Sequence, residues 1–110
     1  MRRMSLKPRI RAPGTVKAGE IVEIRTLVTH VMETGQRRTI DGRAIPRNII
    51  HTFTAEFNGR PVFKADLNAG ISANPYVAFH LKVDVAGELV MTWTEDSGAV
   101  TVEKAKIAIG

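Results

Sequence analysis

Val77-Ala78-Phe79-His80-Leu81-Lys82-Val83-Asp84-Val85 is followed by Ala86-Gly87, and then by Leu89, Met91 and Trp93 at every second position. In the first run Val77, Phe79, Leu81, Val83 and Val85 alternate with Ala78, His80, Lys82 and Asp84. Successive side chains of a strand point to opposite faces, so this period of two describes a strand with one apolar and one mostly polar face. The second run repeats the pattern. With Ala86-Gly87 as a tight turn between them, the two runs predict an antiparallel hairpin. Trp93, in phase with Leu89 and Met91, is expected in the core rather than at a ligand.

The same period extends in both directions. Val22, Ile24 and Val28 share one face of an earlier strand, with Glu23 and Arg25 opposite. Ile49, His51, Phe53, Ala55 and Phe57 share a face of a middle strand. Asn58-Gly59, which tolerates positive φ, turns it back into Arg60 to Asp66. Asp96-Ser97-Gly98 turns into a final strand near 99–109. There Val100 and Val102 lie on one phase, while Ala105, Ile107 and Ile109 lie on the other. A bulge near Glu103-Lys104, or a strand that changes sheets, would reconcile them. A strand near 9–12 brings the total to about seven, the number of an immunoglobulin-like sandwich. No segment has a helical repeat. The expected fold is therefore an all-β, immunoglobulin-like sandwich of antiparallel strands, a single domain over 1–110 with 1–8 as a flexible basic arm.

Composition agrees with one globular domain. The chain has 110 residues, 44% hydrophobic and 25% charged, and no cysteine. That composition separates it from disordered chains. It also excludes disulfides, thiolate metal sites and cysteine nucleophiles within these residues. No apolar run approaches the roughly 20 residues a membrane helix needs. Met1 to Pro8 carries charge without an apolar core, so it does not read as a signal peptide. On that reading the protein either stays in the cytoplasm or leaves with something else.

The net charge of +5 is uneven: residues 1–48 hold 11 Lys/Arg against 4 Asp/Glu, and residues 49–110 hold 5 against 7. Arg2, Arg3, Lys7, Arg9 and Arg11 form one basic group; Arg37, Arg38, Arg43 and Arg47 form another in a long central connection. Such asymmetry attracts anionic partners, although solvated surface charge has the same signature.

Chemistry is harder to find. Ser5, Ser72 and Ser97 have no activating motif around them. His30, His51 and His80 lack metal-ligand spacing. His51 is on an apolar phase and reads as a core or edge histidine; His80 is on an outward phase and reads as solvated. Glu95-Asp96 would point to opposite faces of a strand, which weakens a general acid/base role, and a turn-forming Asp accounts for it. The glycines are scattered, with no phosphate loop. The pattern thus predicts no catalytic residue, no cofactor and no metal site. A small metal-dependent enzyme built on the dispersed histidines is the enzymatic alternative. A basic nucleic-acid-binding β domain is the other, weakened because most aromatics are in phase with the core.

Two segments exceed a plain sandwich: the connection 30–48, in which Asp41-Gly42 looks like the tip of a small hairpin, and the turn-rich run 68–76. They hold distinctive residues in order. Met32-Glu33-Thr34-Gly35 precedes Ile45-Pro46-Arg47 and Ile49-Ile50. Asn58-Gly59, Val62-Phe63 and Ala65-Asp66-Leu67 follow. Then come Gly70-Ile71-Ser72-Ala73-Asn74-Pro75-Tyr76, Phe79-His80, Gly87, Leu89 and Thr92-Trp93-Thr94, with Asp96 and Gly98 in the turn. From about residue 8 to 109 this set resembles the SoxZ family of the bacterial thiosulfate-oxidising Sox system. The resemblance implies an immunoglobulin-like scaffold subunit of a SoxYZ heterodimer. In that family the SoxY partner carries sulfur intermediates on a cysteine at the end of a mobile arm, between periplasmic Sox enzymes. It also implies a periplasmic protein exported with a partner that bears the signal, in transient contact with those enzymes, with no nucleic acid and no membrane as partners.

The candidate partner-binding residues are Met32, Ile45, Pro46, Ile71, Pro75 and Tyr76 as apolar anchors, with Asn74 in the same loop. Ile71 and Tyr76 would serve equally to pin their loop to the core, and the residues leave both roles open. Arg37, Arg38, Arg43 and Arg47 are expected to supply a positive field near the carrier arm or toward acidic enzymes.

Overall fold

The computed structural model describes residues 8–110 apart from Arg37, Ala69 and Ser72, so the basic arm expected over 1–8 lies almost wholly outside the described residues. Eight strands follow in order: β1 (Arg9–Arg11), β2 (Thr15–Val16), β3 (Glu20–Leu27), β4 (Ile50–Phe57), β5 (Arg60–Asp66), β6 (Tyr76–Val83), β7 (Gly87–Glu95) and β8 (Val100–Ile109). They form a three-stranded sheet, β1-β3-β6, and a five-stranded sheet, β2-β8-β7-β4-β5. The described residues contain no helix. This is the all-β sandwich the alternation predicts. The eighth strand is β2, two residues long, which pairs in parallel with β8 (Thr15↔Ala108, Val16↔Ile109). The remaining pairs are antiparallel.

Each inward row comes from the period of two. Val22, Ile24 and Thr26 of β3 and Val77, Phe79, Leu81 and Val83 of β6 line one wall. Phe53, Ala55, Phe57, Leu89, Met91, Trp93 and Ile107 line the other. Thr26 is the polar member, and its hydroxyl donates to the Val77 carbonyl at 2.8 Å. Aromatic rings join the walls. Phe53 sits 5.0 Å from Trp93, 6.0 Å from Phe79 and 6.1 Å from Phe63, ring centre to ring centre. Phe63 and Phe79 stack across the sandwich at 4.9 Å. The Trp93 indole is fully buried, and its N–H has no hydrogen-bond partner among the described residues.

Two sequence expectations are corrected. The runs around Ala86-Gly87 are not a hairpin. β6 pairs with β3, and β7 pairs with β4 and β8, so residues 84–86 cross from one sheet to the other. The reason is burial. Both rows are apolar, and crossing lets them face each other through the interior rather than lie side by side. Val85, beyond the end of β6, is accordingly exposed. The Asn58 side chain secures the crossing: its Nδ2 donates to the Ala86 carbonyl at 3.2 Å, and its Oδ1 accepts from the Glu88 amide at 3.0 Å. Gly87 lets Asn58 come so close, because a Cβ there would overlap the Asn58 amide.

The second correction concerns β8. Its pairing with β7 runs without a shift from Thr94↔Val100 to Gly87↔Ile107. There is no bulge near Glu103-Lys104 and no change of sheet. Ala105 and Ile107 face inward, whereas Val100 and Val102 stay on the outer face, exposed. Irregularity falls in β4 instead, where register shifts occur between Ile50 and Thr52 toward β7, and between Ala55 and Glu56 toward β5. The Asn58-Gly59 turn is as expected: Phe57 pairs with Arg60, and both turn residues have positive φ.

Because Phe53 touches rings from three other strands, Phe53→Ala should cost about 3–5 kcal/mol, the range for emptying an aromatic site in a core. Urea unfolding checks this, and a loss well under 1 kcal/mol would mean that the site collapses or was never tightly filled.

Candidate partner-binding surface

The two long connections and the Asp96-Ser97-Gly98 turn meet at one end of the sandwich. Asn74 ties the first two together. Its Oδ1 accepts from the His30 amide at 2.9 Å, and its own amide donates to the His30 carbonyl at 2.7 Å. Asn74 adopts φ 55°, a conformation that asparagine tolerates better than most residues. The Val28 amide donates to the Pro75 carbonyl at 3.2 Å and continues the seam.

His30 then turns inward. Its Nδ1 accepts from the Met32 amide at 2.8 Å, and its Nε2 lies 3.0 Å from Glu95 Oε1. An amide donor at Nδ1 assigns the ring proton to Nε2, which donates to the carboxylate. The pair is buried, with side chains 4% and 2% exposed. Glu95 Oε1 also accepts from Asn48 Nδ2 at 3.1 Å, and Asn48 Oδ1 accepts from the Ser97 amide at 3.1 Å. A buried carboxylate needs such partners to offset its lost hydration.

Asp96 holds the outer side of the same junction. Arg47 grips it with two bonds, Nε to Oδ2 at 2.8 Å and Nη2 to Oδ1 at 3.1 Å, and the Ile49 amide donates to Oδ2 at 3.2 Å. The Arg47 guanidinium, followed by the Ile49 amide, holds the Asp96 carboxyl below its ordinary value of 3.8 against the opposing effect of burial. Glu95, the last residue of β7, and Asp96, in the turn after it, therefore engage different partners, and each organises a different layer of the loop end. The connection 30–48 is pinned by paired backbone bonds between Glu33 and Asn48, at 3.0 and 2.8 Å. Its tip is the expected small hairpin, with a bridge Arg38↔Ala44 and the Thr39 amide donating to the Arg43 carbonyl at 2.8 Å.

The candidate residues divide. Met32 and Pro75 are buried beneath the loops, and Met32 Sδ accepts from the Ile50 amide at 3.4 Å. Asn74 is exposed, but its side chain is engaged with His30. Ile45 and Ile71 are half-buried, while Pro46 and Tyr76 are exposed. Val31 and Ile40, which the alternation did not single out, are also exposed at this end. Of the arginines, Arg47 is matched to Asp96 and Arg43 Nε to Asp41 at 3.1 Å, while Arg38 donates to the Gly42 carbonyl at 3.1 Å. The Thr39 hydroxyl, and less so Arg43, hold the Asp41 carboxyl below its ordinary value. Arg37 lies outside the described residues.

His51 is half-buried, with Nδ1 2.7 Å from the Thr52 hydroxyl, and His80 is exposed. Among the described residues no three His, Cys, Asp or Glu side chains are grouped to hold a metal ion.

Fold and loop end together define the class: an immunoglobulin-like sandwich whose polar interior groups lock long loops in place. Solved structures share that fold. A superoxide reductase (neelaredoxin) from Ignicoccus hospitalis superposes with TM-score 0.73 at 22% identity, covering 94% of this chain and 80% of that one. The sulfur carrier protein SoxY from Chlorobium limicola f thiosulfatophilum gives 0.64 at 14%, covering 94% and 78%. A CARDB domain from Pyrococcus furiosus, solved in complex with di-metal ions, gives 0.57 at 13%, covering 96% and 94%. At these identities the likeness is one of fold. No curated protein matches the sequence. The family is settled by the match of residues 10–106 to "Sulphur oxidation protein SoxZ": the chain belongs to the SoxZ family. Its role is accordingly in Sox sulfur oxidation.

Breaking the buried pair with His30→Leu leaves Glu95 without one donor and the Met32 amide without its acceptor. The expected cost is about 3 kcal/mol in urea unfolding, as for other buried pairs missing one member; wild-type stability would refute the arrangement. Asp96→Asn tests the outer clamp. Since the folded carboxyl is held below 3.8, its stabilisation is present above that pH and lost as pH falls through the lower folded value. The variant should be less stable than wild type at neutral pH and should converge with it in acid. A constant difference across that range would contradict the clamp.

Proposed function

We propose that the chain is the non-catalytic half of a heterodimeric sulfur carrier. It binds a SoxY-like partner whose cysteine arm carries covalent sulfur intermediates during thiosulfate oxidation. The match to the SoxZ family over residues 10–106 carries this reading. A sequence of 110 residues without cysteine supports it, since a chain of this composition has no thiol on which to bear such an intermediate. The periplasm is the compartment this role requires, with export on the partner's signal and transient contact with Sox enzymes.

The loop end is the proposed contact. Ile45, Pro46, Ile71 and Tyr76 supply apolar area there, extended by Val31 and Ile40. Met32, Asn74 and Pro75 act from beneath by fixing the loops. A surface held by buried bonds loses little freedom on binding, which favours affinity. Arg38, Arg43 and Arg47 lie on the same connection and, with Arg37 of the same sequence cluster, would steer an acidic partner, with the effect moderated by Asp41 and Asp96.

Native mass spectrometry of the tagged chain, purified from its host grown on a reduced sulfur compound, tests this. The expected species is a one-to-one complex with a cysteine-tailed partner that bears sulfur adducts. Ile40→Asp combined with Pro46→Asp should reduce recovery of that complex about tenfold without lowering the unfolding midpoint, as loss of a buried apolar anchor does. A lone chain, or one carrying metal or nucleic acid, would overturn the reading.

A further inference from the structure

Among the described residues, positive charge without a carboxylate partner also lies beyond the arginine-rich loop, and on the outer face of the three-stranded sheet it adjoins exposed apolar side chains. Register places Arg9 beside Leu27 and Leu27 beside Tyr76, in one row across β1, β3 and β6. The next row is Arg11, Arg25 and Ala78. Cross-strand partners share a face, so three guanidinium groups surround Leu27 and Tyr76. A shallow cleft lies among Arg9, Arg11, Arg25, Thr26, Leu27 and Tyr76. Tyr76 is 59% exposed and Leu27 38%, an apolar shelf left open to water. Arg25 Nε is bonded to Glu23 at 2.6 Å, but among the described residues neither Arg9 nor Arg11 has a carboxylate partner.

Other surfaces carry less. The outer face of the five-stranded sheet has exposed Val100 and Val102 beside Thr92 and Thr94, with nothing to say what covers it. The His30–Glu95 pair is fully engaged in holding the loops.

We propose that the β1–β3–β6 face docks an acidic segment of a second protein. Aspartate or glutamate side chains meet Arg9 and Arg11, and a neighbouring apolar side chain rests on Leu27 and Tyr76. Residues two apart on a strand share a face about 7 Å apart, so Arg9 and Arg11 suit two acidic side chains at the same spacing on an extended segment. Arginine and tyrosine are the residue types that concentrate binding energy at protein interfaces. Chemistry favours a peptide over a nucleic acid. A phosphate chain running on across the sheet would meet Glu23, which occupies the following row opposite His80. It would also find one exposed ring here, where single-strand platforms use several. This docking adjoins the proposed loop-end contact at Tyr76 and otherwise uses different residues, Arg9, Arg11 and Leu27.

The test uses the full chain and a labelled short peptide of alternating Asp and Leu, followed by fluorescence anisotropy at low salt. Arg9→Glu with Arg11→Glu should weaken binding about tenfold or more, as loss of electrostatic complementarity does. Lys104→Glu with Lys106→Glu, exposed on β8, makes the same change in net charge and should leave binding near wild type. If the glutamate pair fails to fold, Arg9→Gln with Arg11→Gln replaces it and should weaken binding in the same direction. A peptide of alternating Asp and Ser should bind more weakly, and Tyr76→Ala should abolish that preference. Equal losses in the arginine and lysine variants would overturn the proposal, as would no saturable binding. Tighter binding of an oligothymidine through the same arginines would overturn it in favour of nucleic acid.

Discussion

The contact of Phe53 with Phe63, Phe79 and Trp93 is the constraint on which the rest depends. These four rings come from β4, β5, β6 and β7 and tie both sheets to one centre. A slip of one residue in β4 would carry Phe53 to the solvent face and bring Thr52 or Thr54 into the core. Register is therefore fixed through the middle of β4, and the strand's irregularities fall toward its ends. The same centre requires β6 and β7 to oppose each other, which is why the segment between them crosses the sandwich. An immunoglobulin-like fold without the inter-sheet disulfide has to obtain its central tie from packing, and the aromatic cluster supplies it.

Away from that centre the loop end is held by polar bonds. Connections that carry buried backbone groups need partners for them, and here three segments supply one another. His30 comes from the start of the connection after β3, Asn48 from its end before β4, and Glu95 from the end of β7. The result is that the bases of the long loops are tied to one another and to the strand ends. In this junction His30 and Glu95 serve to hold the loop bases to the ends of the strands.

Much of the fold could be read from the sequence because alternation is a local signal. The rows from Val77 to Val83 and from Leu89 to Trp93, the Asn58-Gly59 turn and the buried indole all follow from spacing alone. The choice of neighbour for β6 does not, since a hairpin and a crossing show the same alternation. Nor does the fate of Val100 and Val102, which are apolar yet lie outside. The candidate site was only partly legible for a related reason. Its loops stood out by length and composition, but the pairing of His30 with Glu95 spans 65 residues of sequence. Met32 and Pro75 are apolar residues in loops, and nothing local distinguishes a loop residue that is buried from one, such as Pro46, that stays exposed. Arginines in a cluster likewise do not announce whether carboxylates lie beside them.

The short parallel pairing of β2 with β8 has a consequence for biogenesis. Val16 is buried, and the Gly110 amide donates to its carbonyl at 2.9 Å. A residue made early thus waits for one made almost a hundred positions later before its side of the sheet is closed. β3 waits similarly for β6. Non-local closure of this kind makes a chain fold slowly and keeps apolar strand edges open while it is being made. The clasp between the first and last strands of the larger sheet is thus a contact that local chain structure does nothing to bring together.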